Sequence, residues 1–290
     1  MTTGPAVFSF RSRLFGRRLP SIPPGHAVVT GAASGFGRAL ASRLRAEGWR
    51  LALVDLEGPS WPPQPPCEGV VAVAFDVRDA VAWRTLHDRL REAWPRLDLL
   101  VNAAGVGAAG EVGTLPAEQW RRVLDTNLLG TALGCETFVP WLRQHPHRSH
   151  LINVASVAAV TGLPALAAYS ASKAGVVALS ETIAAECPRG RPGVTVACPG
   201  FFRSGLLDRW YFSSATAAVE AARRMASTRR TADGVARRVW IAARRGRRYC
   251  VIGVRSRWLW RLTRLAPRAA TWLAASVYRI AKRQVAGRSH

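Results

Sequence analysis

The chain has 290 residues, 49% of them hydrophobic, with 41 Lys and Arg against 18 Asp and Glu and a formal net charge of +23. This suits one large core at the upper end of a single domain; the five cysteines, odd in number and without a Cys-x-x-Cys pair, argue against a disulfide framework or zinc site and for a reducing, cytoplasmic compartment. No run of about 18 uninterrupted apolar residues occurs, which argues against a spanning helix, and the 57 residues after Asp233 hold fifteen basic side chains and no acidic one, an asymmetry that points to an anionic partner.

In chain order, residues 1–24 read as a basic N-terminal arm, with Arg11, Arg13, Arg17 and Arg18 among Phe8, Phe10, Leu14 and Phe15, too broken for a signal peptide. From His26 short apolar strands alternate with longer helical segments. Strands are expected near 26–30, 50–55, 70–75, 98–102, 150–155, 194–198 and 248–252, and helices near 36–47, 79–94, 116–143, 168–187 and 231–244. This is the pattern of an α/β, Rossmann-type doubly wound parallel β-sheet with helices on both faces, spanning residues 25–253. Five prolines between Asp55 and Val70 exclude a helix in that crossover. His145, His147 and His150 crowd one stretch, expected to be a solvated loop rather than a metal site; no metal is expected. Residues 254–290 form a basic amphipathic C-terminal extension, broken at Pro267, with Trp258, Trp260 and Trp272 alternating with arginine. Such a composition lies on an anionic membrane surface, which would make the protein peripheral; the competing reading docks the helices on the domain or on a second subunit. Nucleic acid is not expected as a partner, because no recognition motif accompanies the charge.

Several short motifs carry chemistry. The first strand runs through Thr30-Gly31-Ala32-Ala33-Ser34-Gly35-Phe36-Gly37 into a helix, a turn whose backbone N–H groups can approach a pyrophosphate. Asp55 ends the second strand, 24 residues after Gly31, where a carboxylate would bond an adenosine ribose and repel a 2′-phosphate. Neither Ser34 nor Leu56 adds a compensating positive charge, so NAD is expected, with NADP disfavoured. Asp76-Val77, Asn102-Ala103-Ala104-Gly105 and Pro199-Gly200 all follow the carboxyl ends of strands, where an open sheet places its ligand. Only two lysines stand beside 39 arginines, and one of them, Lys173, lies four residues after Tyr169. A compact ammonium on the same helix face as a phenol, able to lower its pKa, reads as a general acid/base pair.

With these motifs in order, the chain resembles the short-chain dehydrogenase/reductase family over roughly residues 25–250. The resemblance implies a catalytic tetrad of Asn127, Ser156, Tyr169 and Lys173, in which Ser156 bonds the substrate oxygen, Tyr169 exchanges its proton, Lys173 holds the nicotinamide ribose and Asn127 positions a water. It implies cofactor contacts at Gly31, Ser34, Gly35, Phe36, Gly37, Asp55, Asp76, Val77, Asn102, Ala103 and Gly105. Tyr169, Lys173, Pro199, Gly200, Phe202 and Ser204 complete that set. Two departures stand out: the proline-rich crossover replaces a helix, and the C-terminal extension replaces the strand end that packs a tetramer in many members.

The segment from Phe201 to Arg230, with Leu206, Leu207, Trp210, Tyr211 and Phe212, falls where the family's substrate loop lies, and suits a lipophilic substrate. The expected activity is hydride transfer between NAD(H) and a lipophilic alcohol or carbonyl compound. The rival is a non-catalytic NAD-binding scaffold or sensor at a membrane surface. The helices at 116–143 and 168–187, apolar on several faces, suggest a helix-paired homodimer.

Overall fold

Alternate residues of the central strands enter two different cores, which is why these strands read as continuous apolar runs. Ala27, Val29, Leu51, Leu99 and Val101 pack on one side of the sheet, whereas Val28, Ala52, Val54 and Leu100 pack on the other. The structure, a computed structural model, describes residues 22–56, 69–145, 147–187 and 190–286. Most of the N-terminal arm and the proline-rich crossover therefore lie outside the described residues.

The strands are β1 (His26–Thr30), β2 (Arg50–Asp55), β3 (Val70–Ala74), β4 (Leu99–Asn102), β5 (Gly107–Ala109), β6 (His150–Val154), β7 (Gly193–Pro199), β8 (Trp210–Phe212) and β9 (Tyr249–Ile252). Seven of them form a parallel sheet in the order β3-β2-β1-β4-β6-β7-β9, and β5 pairs with β8 in a separate ribbon. The order reverses between β1 and β4, the switch point at which an open α/β sheet leaves a crevice at its carboxyl ends.

Helices α1 (Gly35–Ala46) and α8 (Ala232–Arg244) cover one face. The other is covered by α2 (Ala80–Ala93), α4 (Gly130–Arg143) and α6 (Ala167–Glu186). Trp83 of α2 is fully buried there, and its indole N–H donates to the Val77 carbonyl at 2.8 Å.

The single helix expected over 116–143 is instead three pieces. A π-helical turn at Asp125–Leu129 separates α3 (Ala117–Leu124) from α4. The wider turn carries Asn127, which is wholly buried. Between Ser156 and α6 lies the short α5 (Ala158–Thr161), and the substrate-loop segment contains a 3-10 turn at Gly205–Arg209 followed by β8 and α7 (Ala215–Ser227). Periodicity does not reveal pieces this short.

The C-terminal extension forms α9 (Val254–Leu265) and α10 (Pro267–Ala286), which pack on each other and on α5. Among the described residues no helix is long and apolar enough to cross a membrane.

The stretch around His145–His150 is not the solvated loop expected from its polarity: His145, Arg148, Ser149 and His150 are buried, and His147 alone of the histidines there is exposed. Asp98 is the reason at one end. Its buried carboxylate accepts from the His26 backbone N–H at 2.8 Å, the Arg96 guanidinium at 3.0 Å and His145 Nε2 at 2.7 Å. His145 Nδ1 accepts from the His147 N–H, so the ring is neutral with its proton on Nε2.

His150 meets Thr195 Oγ1 at 2.8 Å, and that hydroxyl's own proton goes to the Arg247 carbonyl, so His150 donates through Nε2. Among the described residues its Nδ1 has no partner, and it faces Gly193, where a Cβ would lie only 2.5 Å away. Burial therefore holds His150 down to about 3 from the usual 6.5.

An unfolded chain binds this proton and the folded one refuses it, so the stability contribution is full above pH 6.5 and is lost as pH falls toward 3. One such proton gives a slope of about 1.4 kcal/mol per pH unit. Urea unfolding across that window should show stability falling with acidity, and His150→Gln should flatten the fall. An unchanged slope in the variant would mean that His150 is not the group responsible.

Candidate active site

The β1–α1 turn is shaped for close backbone approach. Gly31 and Gly35 both take the left-handed conformation, at φ 63° and 50°. A Cβ on Gly37 would sit 2.1 Å from the Gly31 carbonyl oxygen, so only glycine lets α1 start this near β1. Ser34 precedes α1 without bonding its first turn, leaving the helix-end donors directed to the crevice.

A cleft of about 460 Å³ opens here, floored by Gly31, Gly35, Phe36 and Gly37. Asp55, Asp76 and Val77 wall one side. Ala103, Gly105, Pro199, Phe202 and Ser204 wall the other, and Tyr169 and Lys173 lie at its inner end.

Asp55 is buried and doubly anchored, accepting from the Ala33 N–H at 3.0 Å and the Leu56 N–H at 2.8 Å. A third partner comes from the far side of the cleft: Arg209 of the 3-10 turn reaches its Oδ1 at 3.4 Å. The Asp76 carboxylate is clasped by Arg78 at 2.6 to 3.0 Å, which holds it below the usual carboxylate range against the opposing effect of burial.

At the inner end, α6 places Tyr169 and Lys173 one turn apart, both buried. Lys173 Nζ donates to the Val154 carbonyl at 2.8 Å, and burial lowers the ammonium to about 8. The expected lowering of the phenol is outweighed. Desolvation pushes Tyr169 above its ordinary range, and a hydrogen bond with Ser156 only partly offsets it. Nζ stands 6.0 Å from the Tyr169 ring centre.

Asn127 is engaged on every side. Its Oδ1 accepts from the Val106 N–H at 2.8 Å, and its Nδ2 donates to the Val106 carbonyl at 2.9 Å and to Ser172 Oγ at 3.0 Å. The π turn thus pins the Gly105–Val106 corner beside Lys173: a Cβ on Gly105 would meet Asn127 Oδ1 at 3.1 Å and Lys173 Nζ at 3.4 Å.

Asn102 points below the cleft, donating to Asn153 Oδ1 at 2.9 Å, and so ties β4 to β6. The wall of the cleft there is made by Ala103, whose N–H is held by Thr30 Oγ1 at 2.9 Å. Gly200 lies behind Pro199, facing Ser256 and Arg230.

Sequence motifs do not find Arg209, Arg122 and Thr126, which also line the cleft. Arg122 donates to the Arg209 carbonyl at 3.0 Å and so secures the 3-10 turn to α3. Trp210, named in the expected substrate loop, is placed by β8 with its ring 5.1 Å from that of Tyr169, and the backbone of Gly107 on β5 makes room for it.

These residues fit a dinucleotide. Two left-handed glycines and a helix start offer a phosphate cradle, Asp55 presents a fixed carboxylate, and the buried Ser204 hydroxyl has no partner among the described residues. Gly31, Gly35 and Ser204 would hold the diphosphate, Asp55 a ribose, and Lys173 the ribose at the reacting end.

Comparison with known proteins agrees. A family model described as short chain dehydrogenase matches residues 25–211. A 2-dehydro-3-deoxy-L-rhamnonate dehydrogenase (NAD(+)) of a Sphingomonas species is 35% identical over 185 residues, covering 63% of this chain and 74% of that protein. The probable oxidoreductase EphD of Mycobacterium tuberculosis is 34% identical over 184 residues, covering 62% of this chain, but this match spans only 31% of EphD. Among solved structures, a short chain dehydrogenase/reductase from Burkholderia phymatum in complex with NAD aligns with a TM-score of 0.74 and 28% identity, covering 84% of this chain and 94% of that one.

If Tyr169 exchanges the substrate proton as expected, removing its hydroxyl deletes that group without touching the glycine turn. Tyr169→Phe should lower turnover at least about a thousandfold, within the range general acid/base groups supply, with dinucleotide affinity nearly unchanged. Lys173→Arg should also be severe although it keeps the charge, because a planar guanidinium cannot take the place of a compact ammonium bonded to the Val154 carbonyl. Steady-state rates and dinucleotide titration by fluorescence quenching check both. Near-normal turnover in either variant would remove that residue from the chemistry.

Proposed function

The chain belongs to the short-chain dehydrogenase family, and on that footing we propose that it is an NAD-preferring oxidoreductase acting on a lipophilic secondary alcohol or ketone, or a long-chain alcohol or aldehyde. The observation that carries the reading is the meeting of Tyr169 and Lys173 in the lining of the cleft, with Ser156 hydrogen-bonded to Tyr169 and the Trp210 ring packed against the Tyr169 ring. A bound nicotinamide supplies the hydride chemistry. The chain's own residues handle the proton and the orientation.

In oxidation the ionised Tyr169 Oη would take the hydroxyl proton of the substrate, and in reduction the phenol would return it. Ser156 holds the same substrate oxygen. Because the phenol sits above its usual range, Tyr169 is protonated at neutral pH and ready to donate. Oxidation should therefore accelerate with rising pH, and reduction should slow once the phenol ionises.

The wall supports an apolar substrate. Trp210 and Tyr211 pack with Leu115, Leu163 and Leu166 around Tyr169. Pairing of two copies through α4 and α6 is the expected assembly, Leu129 just before α4 being 46% exposed.

NAD should be preferred because a 2′-phosphate would stand against the buried Asp55 carboxylate. Asp55→Asn should raise the NADP to NAD ratio of kcat/KM by about tenfold or more, each 1.4 kcal/mol of repulsion removed being a factor of ten. Arg209→Ala in that background should take back part of the gain, since Arg209 is the cation that reaches this position. A native preference for NADP would overturn the cofactor assignment. The substrate class is tested with alcohols and ketones of increasing apolar size alongside polyols and sugar acids, read at the reduced-nicotinamide absorbance. Better turnover of the polyols would overturn it.

A further inference from the structure

The C-terminal helices carry bulky apolar side chains that no described residue covers. On α9, Val254, Trp258 and Leu265 recur with Arg261 at helical spacing and form one stripe, with exposures of 63%, 66% and 85%. On α10, Trp272 is 68% exposed and Leu273 41%.

Other side chains of the same helices are engaged on the domain. The Trp260 ring lies 5.5 Å from that of Tyr249, Arg264 stacks on both and pairs with Glu181 at 3.1 Å, Ala270 is buried, and Tyr278 donates to Glu111. The hairpin is thus fastened by one side and presents tryptophan outward on the other.

Charge selects what that outward side meets. No carboxylate side chain follows Asp233, and the exposed Arg255, Arg257, Arg261 and Arg268 share the hairpin with the exposed tryptophans. A two-fold contact with a second copy through this face would set arginine against arginine with no acid between them. An anionic lipid surface complements both features at once: its headgroups attract the guanidinium groups, and indole rings seat at the boundary between headgroup and acyl chain.

We propose that the α9–α10 hairpin is a surface anchor that seats this protein on an anionic bilayer, with Trp258, Leu265 and Trp272 in the interface. Its position gives the anchor a purpose. Both helices rest on α5, which begins two residues after Ser156, and Tyr278 holds Glu111, two residues beyond β5. β5 in turn pairs with β8, whose Trp210 covers Tyr169. The anchor therefore adjoins the substrate end of the cleft, and an apolar alcohol dissolved in the bilayer would reach Tyr169 by a short path. That last clause rests on the dehydrogenase reading; the anchor does not.

The test is co-sedimentation of the full chain with phosphatidylcholine vesicles, with and without roughly one-third phosphatidylglycerol. Binding should be much tighter to the anionic vesicles, and salt at about 0.5 M should weaken it without abolishing it. The triple variant W258S/L265S/W272S should lose at least about tenfold in vesicle affinity. Its thermal unfolding should match the parent, because all three side chains are exposed.

Failure of the folded parent chain to bind anionic vesicles overturns the proposal. So does equal binding by the triple variant, which would leave electrostatics alone. If the variant instead turns a dimer into a monomer in sedimentation equilibrium and the parent ignores vesicles, the face belongs to a second copy and the proposal fails. Because the assay reads no turnover, inactivity toward every alcohol would refute the substrate reading and leave the anchor standing.

Discussion

A buried ammonium is the constraint around which the inner site is arranged. Lys173 is 4% exposed and hydrogen-bonds the Val154 carbonyl, so its charge sits at the carboxyl end of β6 among groups that must offset its desolvation. The lowering to about 8 records how incompletely they do. That leaves the ammonium well disposed toward further oxygen ligands in the cleft, such as ribose hydroxyls. A guanidinium, larger and already delocalised, would gain less and fit worse, which accounts for a lysine in a chain that otherwise favours arginine.

Around that charge the backbone is held by side chains rather than by regular pairing. Asn127, turned inward by the π segment, satisfies both the N–H and the carbonyl of Val106. Thr30 does the same service for the Ala103 and Ala104 N–H groups. The wall after β4 is therefore rigid where a dinucleotide would lie against it, and rigid placement is what hydride transfer demands of a protein. Further covering is contributed by the segment after β7. Arg209 and Trp210 are consecutive there, one reaching the carboxylate of Asp55 and the other the ring of Tyr169. The Asp55 end and the Tyr169 end of the cleft are thus linked by one short element.

Surface charge follows a separate logic. Acidic residues that face the basic extension are engaged one by one, Glu181 by Arg264 and Tyr249, Glu111 by Tyr278. The excess of arginine beyond these pairs is left unneutralised, and it sits on the helices that also expose tryptophan. Solvated decoration would explain the arginines but not the three bulky apolar side chains beside them.

Much of the molecule was legible in the residues because it is governed by local rules. Continuous apolar strands, a glycine turn that no side chain can replace, and a Tyr–Lys pair at one helical turn are properties of short segments, so strand order in the chain, the glycine-lined crevice and the placing of Tyr169 and Lys173 on one helix face could be read directly. What tertiary structure alone decided depends on groups far apart in sequence. Arg209 meets Asp55 across 154 residues, and no spacing rule encodes that encounter. Asn102, from a motif beside the cofactor wall, turns beneath it to bind Asn153, because adjacent strands bring the two amides together. The polar run at His145–His150 looked solvated, yet Asp98 and Thr195 supply partners that make its burial tolerable. Likewise the amphipathic tail announced an apolar face, but only packing against α5, Tyr249 and Glu111 determined which of its side chains face the domain and which remain in water, since a helix wheel gives relative directions and not the surface they meet.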